Sequence, residues 1–172
     1  MRDHVDKLLE QWHKARPELD VSGLSTAVRI ELIAKLLRRG TEKALAKVGL
    51  KTWEYDVLSA LRRQVQPFEL PATELARASL LTSGAMTTRI DHLESARLVE
   101  RRPDPNDRRG VRVRLTSTGR KLIDAALHAR LNAAEASIKG LSAAERRSIE
   151  KGLRKLLVSL RPRELHNGHG EA

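Results

Sequence analysis

Residues 100–119 read ERRPDPNDRRGVRVRLTSTG. Six arginines (Arg101, Arg102, Arg108, Arg109, Arg112 and Arg114) crowd around a Pro-Asp-Pro-Asn-Asp turn, with Asp104 and Asp107 set among them. Beyond the turn, Val111, Val113 and Leu115 alternate with cations, the period of a half-buried strand. Leu98 to Arg102 is β-rich in the same way, so the stretch predicts a two-stranded ribbon with an eight-residue tip. Guanidiniums packed this densely repel one another, and the loop is costly unless something anionic meets it.

Immediately upstream, residues 67–102 read PFELPATELARASLLTSGAMTTRIDHLESARLVERR. Phe68 to Leu70 suits a short strand. Pro71 suits a first helical position, where its missing N–H costs nothing, and Ala72 to Ala78 follow as a short helix. After the tight connection SLLT, Thr82 or Ser83 caps a second helix running to about Ala96. Two short helices joined by a turn form the helix-turn-helix pattern. On the second of them Met86, Ile90 and Leu93 share one narrow sector and must face a core. Ser83, Gly84, Thr87, Thr88 and Asp91 are then left outward. Small and hydroxylated side chains permit close approach to a major groove and can bond phosphates or base edges. The helix start at Thr82 adds backbone N–H donors for phosphate.

The flanks of this segment are helical. Val5, Leu8, Leu9 and Trp12 mark a first helix ending before Pro17. A longer one opens at Ser22 or Ser25, with Val28, Leu32, Ile33, Leu36 and Leu37 as its stripe, and runs on toward Gly49. Thr52 looks like the N-cap of a third helix. After Thr116, Leu122, Ile123, Ala126, Leu127 and Leu131 line a long helix. Ser142-Ala-Ala-Glu145 is a capping box opening a last one, with Ile149, Leu153, Leu156, Leu157 and Leu160. The fold class expected is mainly α with a small β-wing: a winged helix-turn-helix over 52–116, N-terminal helices over 1–51 and C-terminal helices over 117–162. The terminal helices are too apolar on one stripe to stand alone, so they are expected to pair across a two-fold axis as a homodimer. The polar tail, 163–172, is expected to be disordered.

Composition agrees. The chain has 172 residues, 33 Lys+Arg against 22 Asp+Glu and a formal net charge of +11, a balance that favours nucleic acid or another anionic surface as partner. Aromatic residues make up 2%, too few for the stacking platforms of single-strand binders. No apolar run approaches a membrane span. The absence of cysteine removes disulfides and thiolate chemistry. With no signal-like N-terminus, a cytoplasmic location is expected.

The residues from Thr73 to Gly119 resemble the MarR family of bacterial winged-helix regulators. The wing Asp-Pro-Asn-Asp-Arg-Arg-Gly followed by Val-Arg-Val-Arg-Leu-Thr-x-x-Gly is the most specific part, and the helix order on both sides fits. The resemblance implies a homodimer that reads pseudo-palindromic operators in double-stranded DNA, usually as a repressor released by a small ligand. It places Arg109 at the wing tip. The DNA-binding candidates are therefore Thr82, Ser83, Gly84, Thr87, Thr88, Arg108, Arg109 and Arg112. Asp107 reads better as a brace for the loop arginines than as a DNA contact.

The first helix resembles the extension carried by a urate-responsive subgroup of that family. This likeness implies a ligand site of Trp12, Asp56, Arg63 and Arg89. Two guanidiniums suit a small anionic effector such as a purine (urate or xanthine) or a polycarboxylate. Trp12 also fits its own helix's apolar stripe, and Asp56 and Arg63 also read as a simple ion pair. No catalytic residues, cofactor or metal site are expected: there is no phosphate loop, metal motif or nucleophile elbow. The tail histidines His166 and His169 offer no preformed site. The rival reading is a non-specific basic protein that binds RNA or compacts DNA.

Overall fold

The computed structural model describes residues 2–79, 81–105 and 107–160, with the Arg108 side chain excepted. The tail expected over 163–172 lies outside the described residues, as do 161 and 162. The chain divides into two units, residues 1–134 and 135–172.

The first unit begins with α1 (His4–Ala15), α2 (Ser22–Ala46) and α3 (Thr52–Arg62). Then come β1 (Glu69–Pro71), α4 (Ala72–Ala78), α5 (Ser83–Ser95), β2 (Val99–Asp104), β3 (Asp107–Leu115) and most of α6 (Ser117–Ile138). The second unit holds the end of α6 and α7 (Ala143–Ser159). The mainly α architecture with a small β-wing stands as expected.

Local signals explain most boundaries. Asp3 caps α1 by accepting from the Val5 and Asp6 amides. Arg29 of α2 reaches back to Asp3 (Nε–Oδ2 2.8 Å) and Asp6 (2.6 Å), fastening α1 to α2. Gly49, at φ +77°, ends the α2 region, with the Leu50 amide donating back to the Leu45 carbonyl at 3.1 Å. This left-handed position is one that glycine takes without a Cβ penalty. The same closure ends α5, where the Leu98 amide reaches Leu93 (2.9 Å) and the Arg97 amide reaches Glu94 (2.8 Å). Here Arg97 holds φ +58°, a conformation that disfavours a residue with a Cβ. At α7 the Ser142–Glu145 capping box is present.

Three boundaries depart from expectation. Helix α3 starts at Thr52, but Lys51 is its N-cap, and the Glu54 carboxylate accepts the Lys51 amide at 2.7 Å. The short strand expected over Phe68–Leu70 forms one residue later as β1, with Pro71 in it rather than at a first helical position, and it joins the ribbon in a three-stranded antiparallel sheet of order β1-β3-β2. The wing ladder continues past Arg102 to the pair Asp104↔Asp107, with an irregularity at Pro103/Asp104. Only residues 105 and 106 separate the strands, so the expected eight-residue tip is mostly strand. Pairing wins because Asp107 accepts the Arg109 amide (2.9 Å) and so folds the turn onto itself. Gly110 permits that closeness, since a Cβ there would lie 2.9 Å from the Cβ atoms of both Asp104 and Asp107.

The core of the first unit gathers Leu45 from α2, Val57, Leu58 and Leu61 from α3, and Leu75 from α4. Met86, Ile90 and Leu93 from α5, Val99 and Val113 from the sheet, and Ile123 and Ala126 from α6 complete it. The three α5 residues predicted to face inward are 1%, 2% and 0% exposed. Helix α6 leaves the sheet through Thr116, whose hydroxyl donates to the Arg97 carbonyl (2.8 Å) and accepts from the Gly119 amide (3.0 Å). Gly119 is buried so tightly that an added Cβ would stand 1.9 Å from the Leu98 carbonyl oxygen. Backbone on both sides leaves nothing to rotate away. Gly119→Ala is therefore expected to destabilise the fold by at least about 1–3 kcal/mol, read as a lowered urea midpoint at unchanged slope.

Candidate functional site

Helix α5 sits with its apolar side in the core and its other side open. Thr82, Ser83, Gly84, Thr87 and Thr88 are all exposed. The Thr82 hydroxyl accepts from the Ala85 amide at 3.3 Å, which fixes the helix start. Thr87 donates to the Ser83 carbonyl (2.9 Å) and Thr88 to the Gly84 carbonyl (3.2 Å). With those hydrogens turned back onto the helix, both hydroxyls present lone pairs outward, suited to accepting from a base amino group.

The wing answers the question posed by its arginines. Most of them are met by the protein's own acids. Arg101 of β2 pairs with Glu94 and Asp91 of α5, and its amide also donates to Glu94 at 3.0 Å. Arg102 pairs with Glu100 at 2.8 Å. The Glu69 carboxylate of β1 accepts one guanidinium on each oxygen, Arg112 at 2.9 Å and Arg114 at 2.8 Å. Arg112 also lies 3.5 Å from Asp104. These contacts weld β1, β2, β3 and α5 into one body. Arg109 is exposed at the tip, and its guanidinium has no acid partner among the described residues. Arg112, named from sequence beside Arg109, is instead half-buried and engaged. A cleft of about 340 Å³ separates the start of α4 from α5 and the wing, with Thr73, Thr87, Arg101, Asp104 and Arg109 on its walls.

The second set divides differently. Asp56, on α3, feels Arg89 of α5, Arg130 of α6 and Arg63, in that order of strength. Burial of the carboxyl nevertheless outweighs them and raises its pKa above the ordinary aspartate value. Arg63 donates to the Ser59 hydroxyl at 3.1 Å. Arg89 is half-buried and lies over the Trp53 ring at 5.3 Å. Trp12, on α1, is 44% exposed and does not line the cavity beside Asp56. The tryptophan next to Arg89 is thus Trp53.

Sequence reading missed Trp53, Arg130 and a polar clasp between α3 and α5. In that clasp His92 Nε2 lies 3.0 Å from the Glu54 carboxylate, and its ring meets Trp53 edge-on at 5.3 Å. Glu54 is only 7% exposed. The signal open to sequence was the glutamate at the third helical position, from which its carboxylate can accept the N-cap amide. Among the described residues no cluster of His, Asp and Glu could hold a metal, and no helix is long and apolar enough to cross a membrane.

Comparison with known proteins places these features. A family model described as MarR family matches residues 48–110. The chain is 32% identical over 120 residues to the HTH-type transcriptional regulator PecS of Dickeya dadantii, covering 70% of this chain and 72% of that protein. It is 36% identical over 86 residues to the HTH-type transcriptional repressor NicR of Pseudomonas putida, covering 50% of this chain and 54% of that one. Its backbone is similar to a mutant MarR from Escherichia coli complexed with operator DNA, with a TM-score of 0.67 and 25% identity over 85% of this chain and 97% of that one.

Protonation tests the wing clamp. Burial alone would raise the Glu69 pKa, but the hydrogen bonds from Arg114 and Arg112 prevail and lower it below the ordinary glutamate value. A depressed carboxylate contributes stability above its unfolded-state pKa, and that contribution is lost as pH falls through the folded value. Glu69→Gln is expected to cost about 1–3 kcal/mol near neutral pH. The gap to the unmodified protein should close below about pH 4 in acid-unfolding curves.

Proposed function

The chain belongs to the MarR family of DNA-binding transcriptional regulators, and on that premise we propose that it is a homodimeric repressor whose grip on a pseudo-palindromic operator is released by a small anionic ligand. The observation that carries this reading is the pairing of an exposed, hydroxylated α5 face with a wing whose tip arginine lacks an internal acid. In this reading Thr82 and Ser83 position the helix on phosphate, and Gly84 lets the backbone approach. Thr87 and Thr88 meet base edges. Arg109, with Arg108, enters the neighbouring minor groove, where negative potential is concentrated. Arg112 holds the wing in place through Glu69 and Asp104 rather than meeting phosphate itself.

The dimer is supported by apolar faces that each unit leaves open. Leu32, Ile33, Leu36 and Leu37 of α2 are exposed, Leu36 at 64%, as are Leu127 and Leu131 of α6. In the second unit Ile149, Leu153 and Leu157 of α7 are exposed, Leu157 at 61%. Contiguous exposed apolar faces of this kind mark interaction sites, and a second copy of the chain is the occupant that the reading assigns. We assign residues 1–51 and 117–162 to dimerisation and 52–116 to DNA. The effector is assigned to the cleft around Asp56, with Arg63 and Arg89 acting on the same carboxyl; Trp12 of α1, which the likeness adds to that set, does not line the cavity beside Asp56. The urate-like purines and polycarboxylates are the ligand classes that two guanidiniums favour. Release follows if the ligand binds the non-operator state more tightly. The resemblance to NicR, named a repressor, supports the direction of regulation.

Fluorescence anisotropy with the duplex beside the protein's own gene tests this. Specific binding should fall by orders of magnitude between low and moderate salt. Arg109→Ala should weaken it by about 1–3 kcal/mol. Addition of urate, xanthine or citrate should loosen the complex. Equal affinity for random duplex and structured RNA would favour the non-specific basic protein instead. Light scattering should give twice the chain mass, and Leu36→Glu should shift it toward the monomer.

A further inference from the structure

The cleft between α2, α3 and α6 sets one acid among several guanidiniums. It has a volume of about 200 Å³ and is lined by Leu37, Arg38 and Thr41 of α2, Thr52, Tyr55 and Asp56 of α3, and Arg130 of α6. Arg63 and Arg89 add their fields to the same carboxyl. None of these arginines forms a salt bridge with Asp56 among the described residues. Thr41 already donates its hydroxyl to the Leu37 carbonyl at 2.9 Å, and the Tyr55 phenol is the other titratable group on the wall. Three guanidiniums thus act on a single carboxylate, and Arg38 stands on the wall of the same cleft.

We infer that this cleft takes up its small anion together with a proton, that the proton goes to the Asp56 carboxylate, and that Arg38 and Arg130 hold the anion directly. This rests on reading the cleft as the effector site. An anion seated between Arg38 and Arg130 places a like charge beside Asp56. It also neutralises the cations that keep Asp56 ionised. Both effects disfavour the carboxylate, in a setting where burial already does so. One proton from solvent bonds to a carboxylate oxygen, no other bond changes, and the resulting O–H donates to the anion instead of repelling it. The anion brings its charge and the proton offsets one unit of it, so the cleft keeps its other cations balanced. Neither Arg38 nor Arg130 belongs to the residue set implied by family likeness.

The sign of the linkage is fixed. A ligand that binds with a proton loses affinity as pH rises, by at most about tenfold per pH unit for one proton. Calorimetry of the full chain with urate, and with sulfate as a compact anion that does not titrate near neutrality, measures this in two buffers of different ionisation enthalpy. Uptake of up to about one proton per site is expected, with affinity falling as pH rises. Asp56→Asn should bind at least as tightly, with no uptake and a flat profile, and Arg130→Ala should bind both anions about tenfold more weakly. Binding with no proton uptake and a flat profile in the unmodified protein would overturn the inference while leaving the effector site standing. Uptake that persists in Asp56→Asn would overturn it too. No binding of either anion at any pH would remove the effector reading along with it.

Discussion

The Glu69 carboxylate divides its two oxygens between Arg112 and Arg114, and most of the interface follows from that division. Both guanidiniums belong to β3, the central strand, while Glu69 belongs to β1 in front of the helix-turn-helix. The contact therefore ties the wing to the chain segment that launches α4. Arg101 makes the complementary tie from β2 to Asp91 and Glu94 on α5. With both in place, the wing and the exposed helix are joined through the protein's own ion pairs. Preorganisation of this kind removes ordering cost from association.

The same clamps change what the basic charge means. A net charge of +11 spread evenly would describe a general polyanion binder. In the wing most of the charge is instead cancelled locally, and Arg109 at the tip is left without an acid among the described residues. An interface that neutralises its supporting cations and leaves the probing one available relies less on bulk attraction and more on where that guanidinium lands.

Helix α5 joins both candidate sites. Its outer face carries the hydroxyls, its inner face fills the core, and its flank carries Arg89 over Trp53 and His92 against Glu54. Arg89 also acts on the Asp56 carboxyl, so the proposed effector site and the proposed DNA-facing helix share a residue. In the proposed reading, recognition and sensing share this helix.

Periodicity alone placed the helices, the inward-facing Met86, Ile90 and Leu93, the outward hydroxyls and the ribbon, because these depend on residue spacing along a single element. Glycine and capping signals at Gly49, Thr82 and Ser142 were likewise local. What lay beyond the sequence were the partners of charged side chains. Arg112 and Arg109 stand three residues apart and look alike as letters, yet one is held by Glu69, forty-three residues earlier, and the other is open. The pairing of β1 with the wing, the contact of Gly119 with Leu98, and the choice of Trp53 over Trp12 beside Arg89 are decided in the same way. Each depends on which distant segments the core brings within a few ångströms, and pair energies at that range are settled by tertiary distance and burial, not by position in the chain.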